Sequence, residues 1–155
     1  MSSKNTDINK QHPKVGAGVM IMKDGKVLLG KRHDDPQKAS SALHGEGMWT
    51  MPGGKTDFGE KVHEGIIRET LEETGIRIKE EDLQLLSVTN DIVPDAHFVT
   101  IGFLCEKFEG EPRVMEPDEI VEWRWFPLDG LPMPMYPTSK KMIEHYFAKK
   151  IYSTE

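Results

Sequence analysis

With 155 residues, of which 37% are hydrophobic and 30% charged, the chain is long enough for one domain with its own core and too polar for a membrane-spanning protein. Its formal net charge of −6 excludes a protein that binds nucleic acid through a broad basic surface. The single cysteine, Cys105, excludes an intrachain disulfide and a multi-cysteine zinc site, and its apolar neighbours in TIGFLCE predict a buried side chain.

The N-terminal segment, residues 1–13, is polar and lacks the apolar stretch of a secretory signal, so we predict a flexible tail there. Residues 14–155 are predicted to form a single domain, since no repeat or low-complexity tract divides them. The lack of a signal and of a membrane-length apolar run predicts a cytoplasmic protein without a membrane partner.

The first predicted elements are two strands, VGAGVMIM and KVLLGKR, joined by Asp24-Gly25, a dipeptide that favours a tight hairpin turn. The small and polar residues that follow, HDDPQKASSALHGEGMW, predict a loop. Its segment ASSALHGEG is longer than a connection needs, and we predict that it is a mobile flap over a substrate. MWTMPGG then predicts a short strand that leads into a glycine-rich turn.

After the central helix described below, the chain predicts three more strands, LQLLSVTNDIV, HFVTIGFLCEKF and EWRWFPL. A C-terminal helix is predicted for PTSKKMIEHYFAKK, since Pro137 and Thr138 suit a helix start and apolar residues recur at helical intervals. Strands with two interspersed helices predict an α+β layered domain.

The stretch GGKTDFGEKVHEGIIRETLEETG predicts a helix over residues 61–74 that ends at Gly75. Glu69, Glu72 and Glu73 then share one face, whereas Ile67 and Leu71 are predicted to face a core. Carboxylates this close repel one another unless a cation lies among them, and oxygen ligands favour magnesium or manganese. A solvated acidic face is the alternative. The metal site is favoured because backbone carbonyls of Gly53-Gly54 lie upstream and Arg68 offers a cation within the helix.

From Gly54 to Ile76 the chain resembles the signature sequence of the Nudix hydrolases. The matching positions, at the family's intervals, are Gly54, Glu60, Arg68, Glu69, Glu72, Glu73, Gly75 and Ile76. The one departure is Thr70, at a position that is usually bulky and apolar, and its methyl group can still pack. The resemblance implies the Nudix fold, an α/β/α sandwich around a mixed β-sheet. It also implies magnesium-dependent hydrolysis of a diphosphate linked to another moiety.

The resemblance further implies roles for individual residues. The metal ligands would be Glu69, Glu72, Glu73 and the Gly53 carbonyl. Glu60 would lie at an outer metal position or behind the ligands, and Arg68 would orient the glutamates through ion pairs. A metal that bridges phosphate oxygens offsets their charge and lowers the pKa of bound water, and Glu69 is the predicted base for that water. Mg²⁺ is the expected cofactor, and Mn²⁺ accepts the same ligands.

Outside the signature the chain is similar to the MutT-like nucleoside-triphosphate diphosphatases, through LLGKR, SVTND, HFVTIGFLCE, EGEP, EPDEI and EWRWFPLDGLP in this order. This resemblance implies that water attacks the β-phosphorus of a nucleoside triphosphate and releases pyrophosphate and a monophosphate, with oxidised or noncanonical nucleotides as candidate substrates. It also implies a homodimer.

Other functions stay open from the sequence. An ADP-ribose or NDP-sugar pyrophosphatase is the main alternative, because Pro94 lies where ADP-ribose hydrolases also place a proline. A non-catalytic ligand sensor is disfavoured, because the signature carboxylates are all present. An RNA cap hydrolase, or any stable nucleic-acid partner, is disfavoured by the acidic charge balance.

Residues outside the signature are expected to complete the site. In EPDEIVE, Glu119 is the predicted further metal ligand or base, with Glu116 and Glu122 as rivals. Trp123 and Trp125 alternate on one strand face and are predicted to be core. The predicted substrate-binding residues are Arg32 for phosphate, Trp49 and Tyr136 for the base, Asn90 and Thr100 for base-edge hydrogen bonds, and Gly54. A surface or structural role is the alternative for Arg32, Asn90 and Thr100.

Overall fold

A computed structural model of the protein describes residues 11–41 and 43–154. The elements in chain order are β1 (Lys14–Lys23), β2 (Lys26–Arg32), β3 (Trp49–Thr50), β4 (Gly53–Lys55), α1 (Val62–Thr74), β5 (Leu83–Val93), β6 (Ala96–Cys105), β7 (Ile120–Pro127) and α2 (Pro137–Ala148), with a 3₁₀ turn at Glu80–Asp82 before β5. Most of the predicted N-terminal tail lies outside the described residues. Within them, no helix is long and apolar enough to cross a membrane.

The strands form one mixed sheet in the order β3-β2-β1-β6-β5, with β4 also paired to β1 and β7 to β2. The β1–β6 pair is parallel, and the other pairs are antiparallel. Asp24 and Gly25 close the β1–β2 hairpin with φ values of 52° and 75°, as the predicted turn requires. The α+β class predicted from the sequence is confirmed.

Strand β1 lies in the middle of the sheet and buries side chains on both faces. Its odd-numbered residues, such as Val19 and Ile21, pack with Ile66 of α1 in one core cluster. Its even-numbered residues, such as Met20, pack with Met142 of α2 in the other. Because successive side chains of a strand point to opposite faces, the two helices cover opposite sides of the sheet. This is the α/β/α sandwich that the resemblance implied.

Helix α1 has the predicted span but is rotated relative to the predicted core face. Ile66, Thr70 and Thr74 are fully buried, and Ile67 packs against the core as predicted. Leu71 is 37% exposed, so the prediction that it faces the core is wrong. The Thr70 and Thr74 hydroxyls donate to backbone carbonyls one turn earlier in the helix. These hydrogen bonds allow both hydroxyls to be buried without a partner from another element. Because Glu73 lies beside Thr74 and Thr70 on this buried face, the helix carries one of its carboxylates into the interior.

Gly53 and Gly54 form strand β4 rather than only the predicted turn. They pair with Gly18 and Ala17 of β1. A Cβ atom at position 53 would lie 2.5 Å from the Ala17 carbonyl oxygen, so only glycine permits this approach. The pairing fixes the glycines in the sheet, next to the carboxylates of α1.

Candidate active site

Three carboxylates from distant parts of the chain meet at one end of the sheet. Oxygen atoms of Glu73 on α1 and of Glu116 and Glu119, in the turn before β7, lie within 4.8 Å of one another. The backbone holds this turn in place, since His33 N donates to Glu119 O and Ile120 N donates to Glu116 O. The structure thus brings the predicted ligands Glu73 and Glu119 together and adds Glu116, the rival from the same segment.

Glu73 is the buried member of this group, with 8% of its surface exposed. Its Oε1 accepts a hydrogen bond of 2.9 Å from Gly53 N. Burial raises the pKa of Glu73 well above its ordinary value, and the nearby charges of Glu69, Glu116 and Glu119 raise it further. A carboxylate in this position is stabilised in its charged form by a cation.

Glu69 and Glu72 lie on the adjacent face of α1, where both accept hydrogen bonds from Arg68 Nη1. Burial raises the pKa of Glu69, and the opposing effect of Arg68 is smaller. The charges of Glu72 and Glu116 also raise this pKa. Half of the Glu72 side chain is exposed, at 50%. These two carboxylates therefore extend the Glu73 group toward solvent.

Arg68 and Glu60 form a forked ion pair behind these carboxylates. Arg68 Nε donates to Glu60 Oε2 at 2.8 Å, and Nη2 donates to Glu60 Oε1 at 3.1 Å. The same guanidinium holds Glu69 at 3.0 Å. Such a fork fixes the guanidinium plane, and the same guanidinium contacts both Glu69 and Glu72.

The donor set fits a divalent cation. Carboxylate oxygens converge, and the pKa values of Glu69, Glu73 and Glu116 are raised by burial and by mutual repulsion. The hydrogen bond that Glu73 accepts comes from a neutral backbone N–H group, which leaves its charge to be balanced by a cation. Hard oxygen donors of this kind suit magnesium, manganese or calcium rather than zinc. Gly53 lines the cavity beside Glu73, and the role of its carbonyl as a metal ligand stays a prediction.

A cavity of about 470 Å³ extends from this acidic end across the sheet. Glu73, Glu119, Gly53 and Gly54 line its acidic end. The rest of the lining includes Gly16, Gly18, Phe98, Thr100, Thr138 and Met142. A volume of this size accommodates a small organic ligand whose charged group reaches the carboxylates.

Gly16 and Gly18 of β1 line the cavity beside Phe98 and Thr100, in a region called the slot below, and Met142 packs against Gly18. A Cβ at Gly18 would lie 3.1 Å from Met142 Sδ, and one at Gly16 would lie 3.2 Å from the Gly54 carbonyl oxygen. Phe98 and Thr100 alternate along β6 and line the same slot. An aromatic ring in this lining suits the stacking of a planar base.

Arg32 and Tyr136 stand at the mouth of the cavity under the predicted flap. The Arg32 guanidinium lies 5.1 Å from the Tyr136 ring centroid, and its Nη2 donates to Ala39 O. The Tyr136 hydroxyl and Ser41 Oγ are 2.6 Å apart. The described part of the flap, residues 39–41 and 43–47, thus includes cavity-lining residues, while its mobility stays a prediction.

Two predicted substrate contacts lie elsewhere. Trp49 is 8% exposed and packs edge-on against Phe126 in the core, and it does not line the cavity. The Asn90 side chain pairs with His97 Nε2, also outside the lining. Arg32, Gly54, Thr100 and Tyr136 do line it. From the sequence, Phe98 was one of several aromatic candidates for the base, and Trp49 and Tyr136 were preferred to it. Sequence reasoning missed Thr138, for which no local signal exists.

A buried carboxylate group that fits a divalent cation, next to a cavity of about 470 Å³, is typical of metal-dependent hydrolases of phosphoric anhydrides. The chain belongs to the NUDIX family, since the NUDIX domain matches residues 11–146. Members of this family use divalent metal, act on pyrophosphate bonds and bind nucleotide-type substrates, and this chain is a pyrophosphohydrolase of that kind.

Relatives of the chain differ in the activity that they are named for. The chain is 37% identical to a MutT NUDIX hydrolase from Burkholderia pseudomallei, whose crystal structure superposes with a TM-score of 0.77 over 87% of this chain and 98% of that one. It is 32% identical, over 95% of its length and 83% of the relative's, to an ADP-ribose pyrophosphatase of Methanocaldococcus jannaschii. It is 30% identical, over 81% of its length, to the NAD-capped RNA hydrolase NudC of Escherichia coli, of which it spans only 44%.

Proposed function

We propose that this protein is a Mg²⁺-dependent nucleoside-triphosphate pyrophosphohydrolase, which converts a nucleoside triphosphate and water into a monophosphate and pyrophosphate. The observation that carries the proposal is the continuity of one cavity from Glu73 and Glu119 to the slot formed by Gly16, Gly18 and Phe98. A base stacked in the slot directs its phosphates toward the carboxylates. The similarity to a MutT NUDIX hydrolase supports the same substrate class.

Glu73, Glu116 and Glu119, together with Glu69, Glu72 and the Gly53 carbonyl, would hold the metal. Bound there, Mg²⁺ would offset the charge of the diphosphate and acidify the attacking water. The side chains of the protein then have distinct tasks. Arg68 keeps Glu69 and Glu72 in position through its fork with Glu60. Glu69, held against Gly54, is the base that takes the proton of the water.

Arg32 is the residue proposed to bind phosphate at the mouth of the cavity. Its Nε is buried and has no hydrogen-bond partner in the described chain, while Ala39 O and the Tyr136 ring hold the rest of the guanidinium. A buried, unpaired N–H group is costly, and a phosphate oxygen would satisfy it. The Arg32 guanidinium is thus already held in place, so little side-chain entropy is lost when a phosphate binds it.

ADP-ribose or an NDP-sugar is the second candidate substrate class. The observation that favours it is the similarity to the ADP-ribose pyrophosphatase of Methanocaldococcus jannaschii over nearly the whole chain. Both substrates place a nucleoside and a diphosphate in the same order, so the slot and the carboxylates serve either one. The two activities differ in their products. A homodimer, a cytoplasmic location and a preference for damaged nucleotides stay predictions.

The experiment that tests the proposal is a substrate panel with Mg²⁺, comparing the wild-type protein with Glu72→Gln. The panel contains normal and oxidised nucleoside triphosphates, NDP-sugars and ADP-ribose, with products identified by chromatography. Pyrophosphate and a monophosphate from triphosphates, lost in the variant, are expected. Turnover confined to ADP-ribose or an NDP-sugar would replace the proposal with the second candidate. Ligand binding without any turnover would indicate a sensor.

A further inference from the structure

An ion pair between a buried aspartate and a partly exposed lysine lies behind the slot. Asp91, on β5, is 4% exposed and sits directly opposite Phe98 in the β5–β6 register. Its Oδ1 accepts a hydrogen bond of 2.8 Å from Lys141 Nζ, and its Oδ2 accepts one of 2.7 Å from Thr138 Oγ1. Lys141 Nζ also donates to Asn90 O. Asp91 thus ties two residues of α2 to the edge of the sheet.

The direction of these hydrogen bonds follows from the chemistry of the groups. A lysine ammonium carries only donors, so Asp91 Oδ1 must accept and the carboxylate is ionised beside it. An ionised carboxylate has no proton to give, so Thr138 must donate to Oδ2. A threonine hydroxyl has one proton and two lone pairs. With the proton directed to Asp91, the hydroxyl oxygen can offer only lone pairs to anything else.

Thr138 also lines the cavity, in the same slot as Phe98 and Thr100. Two other cavity hydroxyls, those of Ser139 and Tyr136, are engaged within the protein. Ser139 Oγ accepts from Met51 N at 2.9 Å, and the Tyr136 hydroxyl pairs with Ser41 Oγ. Thr138 differs from them because its proton is directed away from the cavity, to a charged group in the wall behind it.

We propose that Thr138 is a specificity residue of the slot, which acts only as a hydrogen-bond acceptor and so selects substrates with a donor group on the nucleoside. Asp91 is the positioning residue, because it holds the Thr138 proton and leaves only lone pairs for the substrate. The inference rests on the proposed function in that it assigns the slot to the nucleoside. The donor is either an amino group on the base or a hydroxyl of the ribose. A carbonyl oxygen at the same place would face the Thr138 lone pairs and be rejected.

The selection expected from one such contact is measurable. A site built to hydrogen-bond a substrate group discriminates against an analogue without that group, because the site is then left unpaired. We expect about a tenfold ratio of kcat/KM between matched donor and acceptor substrates, which is the usual scale of one such hydrogen bond.

Matched nucleotide pairs test the inference. ATP and ITP, and CTP and UTP, exchange an amino group for a carbonyl oxygen, and ribose and 2′-deoxyribose triphosphates differ by one hydroxyl. The ratio of kcat/KM within each pair is measured for the wild type, Thr138→Val and Asp91→Asn. Thr89→Val is the control, because Thr89 is a buried threonine on the same face of β5 as Asp91 but is not among the residues that line the cavity.

Thr138→Val removes the acceptor and should bring the ratio of the selected pair close to one. In Asp91→Asn, Lys141 carries only donors, so an NH₂ group facing it would be repelled. The oxygen of the introduced amide therefore faces Lys141 and its NH₂ group faces Thr138. The Thr138 hydroxyl must then accept from this NH₂ group and direct its own proton into the cavity. If the wild type selects an amino group, Asp91→Asn should instead prefer the analogue with a carbonyl oxygen. If the wild type selects a ribose hydroxyl, which can also accept, the preference should persist.

Ratios that are the same in the wild type and in Thr138→Val for every pair would overturn the inference, as would an equal change in Thr89→Val. Failure of the proposed function is seen separately. If the wild type cleaves ADP-ribose and no triphosphate, the same ratios are measured with ADP-ribose and its hypoxanthine analogue. Calorimetric binding of AMP, IMP and 2′-deoxy-AMP measures recognition in the slot without hydrolysis. Equal affinity changes for all three in Thr138→Val would also contradict selection by Thr138.

Discussion

The backbone of Gly54 lies directly against the carboxyl group of Glu69, such that a Cβ atom at position 54 would stand 2.5 Å from Glu69 Cδ. The glycine of β4 and the glutamate of α1 are therefore one unit of the site. The carboxylate is held on one side by this backbone and on the other by Arg68 Nη1 at 3.0 Å. A side chain at 54 can be accommodated only if the Glu69 carboxylate moves.

Gly54→Ala should therefore lower activity without unfolding the protein. The atom that must yield is the end of a flexible side chain, so little change in Tm is expected. A displacement of about 1 Å of a catalytic group costs on the order of 100-fold in rate, and we expect a fall of this size in kcat. Kinetics and thermal unfolding are measured together. A variant with wild-type kcat would show that the position of Glu69 does not matter.

Glu60 should support stability only above its lowered pKa. Hydrogen bonds from Arg68 and then from Asp57 N lower the pKa of Glu60 from 4.5 to about 2. The folded chain thus binds fewer protons here than the unfolded chain, so the stabilisation is present above about pH 4.5 and is lost as the pH falls toward 2. Urea unfolding should show the wild type more stable than Glu60→Gln near neutral pH, with the difference shrinking over this range. A stability difference between the wild type and Glu60→Gln that does not change with pH would show that the pKa of Glu60 is not lowered in the folded protein.

Without metal, the buried carboxylates should make the protein less stable as the pH rises. Burial raises the pKa of Glu73 and of Glu69, so the folded chain retains protons that the unfolded chain has lost. Their contribution is present below the unfolded pKa and is lost as the pH rises through the folded value. In EDTA, Tm should fall from pH 5 to pH 8, and Mg²⁺ should raise Tm more at pH 8, because it binds the charged form.

Glu73→Gln should flatten this pH dependence, because the amide oxygen can still accept from Gly53 N and no charge is buried. Glu144→Gln, at an exposed position on α2, is the control and should keep the wild-type profile. If Glu73→Gln unfolds with the same pH dependence as the wild type, burial of the Glu73 charge is not its cause.

Tyr136 should act through two separable contacts at the mouth of the cavity. Tyr136→Phe removes the hydrogen bond to Ser41 but keeps the ring beside Arg32, and the loss of about 0.5–1.5 kcal/mol should appear as a few-fold increase in KM. Tyr136→Ala also removes the ring, so the increase should exceed about tenfold. Steady-state kinetics with the preferred substrate measures both. Equal KM values for the two variants would show that the ring does not position Arg32.

The sequence was sufficient where the chain's interactions are local. The hairpin at Asp24-Gly25, the end of α1 at Gly75 and the spacing of the α1 carboxylates all follow from neighbouring residues. The rotation of α1 did not, because Ile66 and Ile67 are adjacent and equally apolar. Only the packing against β1 and β4 shows that the buried face runs through Ile66 and Thr70, and that Leu71 is exposed.

The rest of the site depends on contacts between residues far apart in the chain. Glu116 joins Glu73 only because β7 pairs with β2 and carries the preceding turn to the end of α1. Thr138 gains its role from Asp91, which is 47 positions away. Trp49 shows the reverse: its place beside the glycine-rich segment suggested a pocket, but Phe126 of β7 covers it. Such pairings leave no periodic signal in the sequence.

The most direct measurement for the central claim is ³¹P NMR of one nucleoside triphosphate incubated with the protein, first in EDTA and then with excess Mg²⁺. We predict that the spectrum stays unchanged in EDTA. After addition of Mg²⁺, the triphosphate signals should give way to those of pyrophosphate and the nucleoside monophosphate. Release of orthophosphate and a diphosphate, hydrolysis in EDTA, or no reaction under conditions in which ADP-ribose is cleaved would contradict the account.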